Sequence, residues 1–291
     1  MMQDCSSTLR KPEWLKVRLP GGREFMRVRD ILAGGHLHTI CQEARCPNIA
    51  ECFHEGTATF LILGDTCTRN CRYCHVKHGV PQPPDPDEPE RLAEAVKALA
   101  LRYIVITSVT RDDLPDGGAS HFAACIKAIH HQSPDCPVEV LIPDFQGSEK
   151  SLEQITAAAP VVINHNLEVA PVLFKDLRPQ GNYDMSLELL RRIHGRAENR
   201  IASKSGFMVG FGEKREDLLR LLEDLAAVRC DRLTIGQYQQ PTRNHWPVMK
   251  YYHPDEFADL KATARAMGFQ QVESGPLVRS SYHAAEAGAS T

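Results

Sequence analysis

Short runs of β-branched and other apolar residues alternate with helical patterns along most of the chain, and this rhythm constrains the fold most strongly. The runs predict six strands, at residues 59–63, 103–107, 138–142, 161–163, 206–209 and 233–235. Apolar residues at helical spacing predict helices at residues 88–101, 121–131, 152–158, 186–194, 216–228 and 254–267. Because no hairpin signal separates the strands, the pattern predicts an α/β protein with a parallel sheet covered by helices.

Right-handed connections would curl this sheet into a barrel, and about six parallel βα units predict a partial barrel of the TIM type. A doubly wound sheet is the competing architecture, but no GXGXXG motif follows the first strand. We therefore expect an N-terminal extension at residues 1–56, the partial barrel at residues 57–267, and a C-terminal extension at residues 268–291. Both extensions should pack on the barrel.

Composition narrows the range of partners and compartments. With 42% hydrophobic residues, 24% charged residues and a net charge of -3, the chain has no electrostatic basis for binding nucleic acid or an anionic membrane. No apolar run approaches the roughly eighteen residues that span a bilayer, and residues 1–20 resemble neither a secretory signal nor an organelle presequence. We expect a cytoplasmic protein, and in that reducing compartment clustered cysteines favour metal binding or catalysis over disulfides.

Six of the ten cysteines fall between residues 41 and 74 and form two triplets. The triplets are CX4CX5C at Cys41, Cys46 and Cys52, and CX3CX2C at Cys67, Cys71 and Cys74. A structural zinc site and a cubane of four irons each take four ligands, so each triplet is one ligand short. The other cysteines are scattered and predict ordinary thiols or small core residues: Cys5, Cys125, Cys136 and Cys230.

The second triplet follows the first predicted strand, at the carboxyl face where such barrels carry their chemistry. Three thiolates on a four-iron cluster leave one iron open, which the amine and carboxylate of S-adenosylmethionine could chelate. The alternative is a zinc site that His78 completes. The spacing, with Tyr73 before the last cysteine, resembles the radical S-adenosylmethionine (SAM) superfamily. That resemblance implies reductive cleavage of SAM to a 5'-deoxyadenosyl radical, with Tyr73 among the cofactor contacts.

The first triplet precedes the barrel and is also interpreted as a cluster site. Pro47 follows Cys46, and this pair is similar to the Cys-Pro that ends ferredoxin cluster runs. The alternative is a zinc site completed by His38 or His54.

Five further segments make the resemblance closer than the superfamily. They are TSVTRDDLPDGGASHF at residues 107–122, NHNLE at 164–168, KSGFMVGFGE at 204–213, IGQY at 235–238 and GPLVRSSYHA at 275–284. With both triplets, they resemble the lipoyl synthase family over nearly the whole chain. The resemblance implies a sulfurtransferase that inserts two sulfur atoms at C6 and C8 of a protein-bound N6-octanoyl-lysine. It also implies SAM and two 4Fe-4S clusters, the auxiliary cluster of the first triplet being the sulfur donor.

The resemblance extends to individual site residues. In the family, a serine of the RSSY motif binds the fourth iron of the auxiliary cluster, and the matching positions are Ser280 and Ser281, with Ser281 favoured. Asn166 and Glu168 match positions suited to the ribose hydroxyls of SAM, and Arg178 is a candidate for its carboxylate. Alternatively, the Asn and Glu only satisfy a turn, and the Arg lies on the surface.

Other polar residues at predicted strand ends should face the barrel mouth. Lys204 and Ser205 open the fifth strand. Asp112 and Asp113 follow the second strand, where two adjacent carboxylates predict a turn and a helix cap, and we assign them no chemistry.

The implied protein partners are octanoylated lipoyl carrier domains, of E2 subunits and of the glycine cleavage H protein, and an electron donor such as ferredoxin or flavodoxin. We expect a monomer. A basic group near the N-terminus could meet an acidic carrier surface: Arg10, Lys11, Lys16 and Arg18, with Trp14. Two other functions remain open, a second kind of two-cluster radical enzyme such as a methylthiotransferase, and a non-enzymatic electron carrier or cluster scaffold.

Overall fold

The computed structural model describes residues 9–16, 23–35, 37–40, 48, 57–194, 201–282 and 284. Its strands are β1 His38–Thr39, β2 Thr57–Ile62, β3 Thr66–Cys67, β4 Lys77–His78, β5 Tyr103–Ser108, β6 Val138–Leu141, β7 Val162–Asn164, β8 Ala202–Val209, β9 Arg232–Gln237 and β10 Gln271–Gly275. Its α-helices are α1 Arg23–Gly34, α2 Glu88–Leu99, α3 Ala119–Gln132, α4 Glu149–Ala157, α5 Pro171–Leu177, α6 Tyr183–His194, α7 Arg215–Ala227 and α8 Pro254–Ala266. Short 3-10 helices lie at Glu13–Leu15 and Phe145–Gly147.

The main sheet follows the order of the chain, β1-β2-β5-β6-β7-β8-β9-β10, while β3 and β4 form a small separate sheet. Every neighbouring pair from β2 to β10 is parallel, and β1 runs antiparallel to β2. Among the described strands the order never reverses, as it would in a doubly wound sheet. The predicted parallel α/β partial barrel is therefore confirmed.

The six predicted strands are all present, but the sheet contains two more strands than predicted. β10 was missed because only Val272 of its five residues is buried, so this edge strand carries no apolar run. β1 is only two residues long and gives no periodic signal. Since β10 lies beyond residue 267, the sheet extends past the predicted end of the barrel region.

The helices cover the outer face of the sheet through single apolar stripes. In α7, Leu218, Leu221, Leu222 and Leu225 are buried, the spacing of one helix face. They belong to one large hydrophobic cluster with β-strand residues such as Ile235. In the described part of the chain, no helix combines the length and the apolar character that crossing a membrane requires.

A charged layer lies at the amino-terminal ends of the strands. Lys204 Nζ donates to Glu139 Oε1 at 2.8 Å, and Tyr103 Oη donates to Glu139 Oε2 at 2.9 Å. Lys204 is 3% exposed and Glu139 is 0% exposed. Their ion pair compensates both buried charges. Lys204 lies inside β8, which starts earlier than predicted, and the expectation that it faces the barrel mouth was wrong.

The chain after β10 returns toward the sheet. Ala284 is buried against Tyr103 and Val105 of β5. Asn48, from the N-terminal region, donates through Nδ2 to the carbonyl oxygen of Leu277 at 2.7 Å. These contacts hold the RSSY segment against the sheet and the N-terminal region.

Candidate active site

A cavity of about 330 Å³ lies at the carboxyl ends of the strands, a volume at the lower end of the range for small-molecule sites. Its walls come from five strands, from the loop of the second cysteine triplet and from the RSSY segment. It brings together the predicted site residues that the structure describes: Cys67, Cys71, Tyr73, Cys74, Asn166, Glu168, Arg178, Ser280 and Ser281. The first triplet, Cys41, Cys46 and Cys52, lies outside the described residues.

The loop of the second triplet is fixed by backbone hydrogen bonds. The backbone N–H groups of Arg69 and Thr110 donate to Cys67 Sγ at 3.4 and 3.3 Å, which fixes the position of this sulfur. The Cys74 N–H donates to the Cys71 carbonyl at 3.1 Å and closes a turn. Burial raises the pKa of Cys71, and raises the pKa of Cys74 to about 12. These thiols therefore keep their protons until a metal displaces them.

The three thiols suit a cluster better than a single zinc ion. All three are half-buried and line one cavity, so a cluster bound to them would turn its open corner toward that cavity. His78, the fourth ligand of the zinc alternative, lies exposed on β4. No three His, Cys, Asp or Glu side chains in the described part of the chain lie close enough to hold one metal ion. The structure thus gives the Cys3His site no support.

The NHNLE segment at the end of β7 forms the part of the cavity wall that lies beside this loop. Asn166 Nδ2 donates to Glu168 Oε1 at 2.9 Å and to Ser280 Oγ at 2.6 Å. Arg178 Nη1 donates to the carbonyl oxygens of Asn166 and Leu167 at 3.0 and 3.2 Å. Burial raises the pKa of Glu168, and the charge of Arg178 opposes that rise. These residues form one partly buried network, in which Arg178 is only partly exposed.

Three buried polar atoms in the cavity wall have no hydrogen-bond partner among the described residues: Ser108 Oγ, Asn166 Oδ1 and Arg178 Nε. Buried polar atoms are nearly always paired, so this wall fits a ligand that carries both donors and acceptors. Gly206 allows Thr234 and Asn166 to pack closely at this wall, because a Cβ there would lie 2.3 Å from Thr234 Oγ1 and 3.0 Å from Asn166 Oδ1. The donor set therefore fits SAM, with its ribose hydroxyls and amino acid end.

His165 supports this wall from behind. Its Nδ1 lies 2.9 Å from the Ile142 carbonyl oxygen and its Nε2 lies 3.0 Å from Ser186 Oγ. Burial lowers the pKa of His165 to about 4.

Acid is therefore expected to destabilise the fold through His165. Above its ordinary pKa of 6.5 the residue is neutral in both states, but below it the unfolded chain binds a proton that the folded chain refuses. The free energy of unfolding should fall by about 3 kcal/mol from this group between pH 7 and pH 4. Urea denaturation of the metal-free chain across this range measures the loss. A His165→Gln variant should lack this component, and an equal pH dependence in both proteins would contradict the expectation.

Comparison with known proteins identifies the family to which the chain belongs. The family model of the Radical SAM superfamily matches residues 61–225, and that of the N-terminal domain of lipoyl synthase matches residues 1–46. Lipoyl synthases of Methylococcus capsulatus and Laribacter hongkongensis are each 53% identical over 277 residues, covering 95% of this chain and 86% and 88% of theirs. This chain belongs to the lipoyl synthase family. The Coxiella burnetii lipoyl synthase is 52% identical over the same length.

Solved structures share the fold at low sequence identity. Methylornithine synthase (PylB) superposes with a TM-score of 0.54 at 12% identity, covering 87% of this chain and 83% of that one. Streptococcus suis SuiB bound to S-adenosylmethionine gives a TM-score of 0.56 at 12% identity over 80% of this chain, which spans 55% of SuiB. At these identities the likeness shows the partial-barrel fold alone.

Family membership settles the class of chemistry. The chain is a radical SAM enzyme for sulfur insertion and uses SAM and 4Fe-4S clusters. Of the functions that the sequence left open, a methylthiotransferase and a non-enzymatic carrier are both set aside, because the similar curated proteins are lipoyl synthases over most of their length.

Sequence reasoning missed one part of the site. Arg69 lies between two cluster cysteines and forms ion pairs with Asp112 and Asp144. Asp112 had been assigned only a turn and cap role, and the structure corrects this. The sequence contained a signal for this ion pair. The metal loop carries an arginine, a carboxylate follows each of two neighbouring strands, and arginine and carboxylates commonly form such pairs.

Proposed function

We propose that the chain inserts two sulfur atoms at C6 and C8 of an N6-octanoyl-lysine on a lipoyl carrier domain. The proposed sulfur source is an auxiliary cluster held by Cys41, Cys46, Cys52 and Ser281. The observation that carries the proposal is the single cavity lined by the second triplet and by the RSSY serines. A substrate carbon that reacts beside the triplet would then lie within the same enclosure as the sulfur source.

Bound at Cys67, Cys71 and Cys74, a four-iron cluster and SAM would supply a 5'-deoxyadenosyl radical that removes hydrogen from unactivated carbon. The protein orients the cofactor. Asn166 and Glu168 face the cavity as an amide and a carboxylate suited to vicinal hydroxyls. The unpartnered Nε of Arg178 is the donor that we assign to the methionyl carboxylate.

Tyr73 completes the cofactor side of the cavity. Its ring centroid lies 6.0 Å from that of Phe211, which in turn stacks on Tyr238 at 4.2 Å. Burial raises the pKa of Tyr73 far above its ordinary value, so it stays a neutral hydroxyl. Aromatic packing behind Tyr73 would help to keep water away from a reactive radical.

An apolar part of the remaining wall suits an acyl chain. Leu61, Val105, Leu141 and Met208 line the cavity, and their apolar side chains offer no reactive hydroxyl or thiol. Contact with these side chains would hold an octanoyl chain in one conformation and bring one C–H bond at a time toward the cofactor.

The described part of the N-terminal basic group, Arg10, Lys11 and Lys16, contributes a docking surface for the carrier, while Arg18 lies outside the described residues. Lys11 Nζ donates to Gln239 Oε1 at 2.9 Å, and partial burial together with the charge of Arg279 lowers the pKa of Lys11. The positive charge of the N-terminal segment thus lies beside the RSSY segment. Trp14 is partly exposed next to it and packs edge-on against His253 at 4.9 Å. An acidic lipoyl domain, of an E2 subunit or the H protein, is the partner that we propose here.

The test is an anaerobic assay with the cluster-loaded enzyme, dithionite, SAM and octanoylated H protein. We expect lipoylated H protein by mass spectrometry and one 5'-deoxyadenosine for each C–H bond broken. H protein without the octanoyl group serves as the control and should gain no sulfur. The absence of 5'-deoxyadenosine, or a product that carries a methylthio group, would overturn the proposal.

The other proposed partners are a one-electron donor, ferredoxin or flavodoxin, and no second copy of the chain. Replacing dithionite by reduced flavodoxin in the same assay should sustain product formation. Size-exclusion chromatography with light scattering should give the mass of one chain, 32.5 kDa.

A further inference from the structure

Arg69 is almost completely buried in the middle of the second triplet, between Cys67 and Cys71, with 8% exposure. Its guanidinium forms two bidentate ion pairs at once. Nε and Nη2 donate to Asp112 at 2.7 and 2.9 Å, and Nη1 and Nη2 donate to Asp144 at 2.6 and 2.7 Å. All three guanidinium nitrogens are therefore engaged with carboxylate oxygens.

The two carboxylates come from the ends of neighbouring strands. Asp112 lies in the loop after β5, and Asp144 lies in the loop after β6. Asp144 is 2% exposed and also accepts a hydrogen bond from the Gln146 N–H at 3.0 Å. Both acceptors are thus held by the rigid sheet, and the arginine is on the loop that must be positioned.

A second contact joins the same loop to the segment that follows β5, through Thr68, which lies between Cys67 and Arg69. The Thr68 N–H and hydroxyl both donate to the Thr110 carbonyl at 3.0 Å, and the Asp112 N–H donates to Thr68 Oγ1 at 3.1 Å. Cys67 itself accepts the Thr110 N–H. The loop between Cys67 and Cys71 is therefore attached to the sheet at consecutive residues.

We propose that Arg69 is a positioning residue that locks the cluster loop onto the ends of β5 and β6, so that the open iron of the cluster faces the cavity. The proposal rests on the cluster site assigned to Cys67, Cys71 and Cys74. A lysine cannot replace this arginine, because an ammonium is a point charge and cannot serve two carboxylates in fixed fork geometry.

The same group also contributes to the charge near the cluster site. One guanidinium and two carboxylates carry a net charge of about -1, which disfavours adding an electron to a nearby cluster. Asp112→Asn would make the group neutral and should raise the midpoint potential of the cluster. A residue that only stabilises the fold would not shift this potential.

The experiment compares Arg69→Lys and Asp112→Asn in the full-length, cluster-loaded protein. The readouts are SAM affinity, from the change that SAM causes in the electron paramagnetic resonance spectrum of the reduced cluster, and the midpoint potential from a redox titration. Arg69→Lys should weaken SAM binding by about 10- to 100-fold, the usual loss for a partner outside the ligand shell. Asp112→Asn should raise the potential.

Arg191→Lys is the matched control. Arg191 also forms a bidentate pair, with Glu188 at 2.6 and 2.7 Å, but this pair is exposed on α6. The Arg191→Lys substitution should leave the SAM affinity and the midpoint potential of the cluster unchanged.

Parental SAM affinity in Arg69→Lys would overturn the proposal, and so would an unchanged potential in Asp112→Asn. If Arg69→Lys fails to fold, Asp112→Asn decides alone, since its partner carboxylate Asp144 stays in place and Asp112 is 29% exposed. Neither readout depends on sulfur insertion. If the sulfur insertion failed while both of these results were obtained, the proposed function would be wrong and the positioning role of Arg69 would still hold.

Discussion

Replacing Ser281 by alanine is expected to abolish the lipoyl product while SAM cleavage continues. In the proposed site, Ser281 supplies the fourth ligand of the auxiliary cluster, so its loss exposes an iron and removes the sulfur source from the cavity. The second triplet does not depend on this hydroxyl. The measurement is a parallel quantification of 5'-deoxyadenosine and of lipoylated H protein. Only in this variant should 5'-deoxyadenosine form without lipoylated H protein.

Ser280→Ala provides the matched control one residue away. Both serines line the cavity, but Ser280 Oγ already accepts a hydrogen bond from Asn166 Nδ2 at 2.6 Å. The structure gives the Ser281 side chain no hydrogen bond within the described residues. Removing the Ser280 hydroxyl should cost about 1 kcal/mol, roughly a fivefold weaker affinity for SAM, while the lipoyl product still forms.

Only one experimental outcome would assign the ligand role to Ser280 in place of Ser281. If Ser280→Ala lost the product and Ser281→Ala kept it, the ligand would be Ser280. Full product formation in both Ser281→Ala and Ser281→Cys would remove the RSSY motif from the cluster altogether. Iron content of each variant distinguishes loss of the cluster from loss of sulfur transfer.

The fold could be predicted where strands are buried on both faces. β5 is a nearly continuous apolar run, YIVITS, and β9 contains the shorter run LTI at residues 233–235, and such runs are visible without tertiary information. β10 was not visible because four of its five residues are only half-buried. The helix α5 was also missed, since its seven residues are too few for a periodic pattern.

The features of the site also fall into those that the sequence predicts and those that only the structure shows. The cysteine spacing and the NHNLE and RSSY segments are local patterns, and the structure places the described members of all three around one cavity. The ion pair of Arg69 with Asp144 joins residues 75 positions apart, so only the combination of an arginine in the metal loop with carboxylates after two strands could have indicated it. The unpartnered atoms of Ser108, Asn166 and Arg178 become recognisable only when burial is known.

Replacing Cys71 by alanine should eliminate 5'-deoxyadenosine and, with it, every later product. Cys71 lies in the turn that Cys74 closes and lines the cavity beside Arg178 and Glu168. With two remaining thiols, the site can no longer hold a cubane that keeps only one open corner. The loss should be complete to the limit of detection, because the cofactor cannot be cleaved without an electron from this cluster.

Iron analysis tests whether this loss is local. Two four-iron clusters predict about eight iron atoms per parental chain and about four in Cys71→Ala. Cys125→Ala is the control, since Cys125 is also a free thiol but is buried in α3 among core side chains, and it should retain all the iron. An equal iron content in Cys71→Ala and the parent would remove the second triplet from the cluster. Stoichiometric zinc in the parent would overturn the interpretation of both triplets, because zinc can neither accept nor deliver the electron that cleaves SAM.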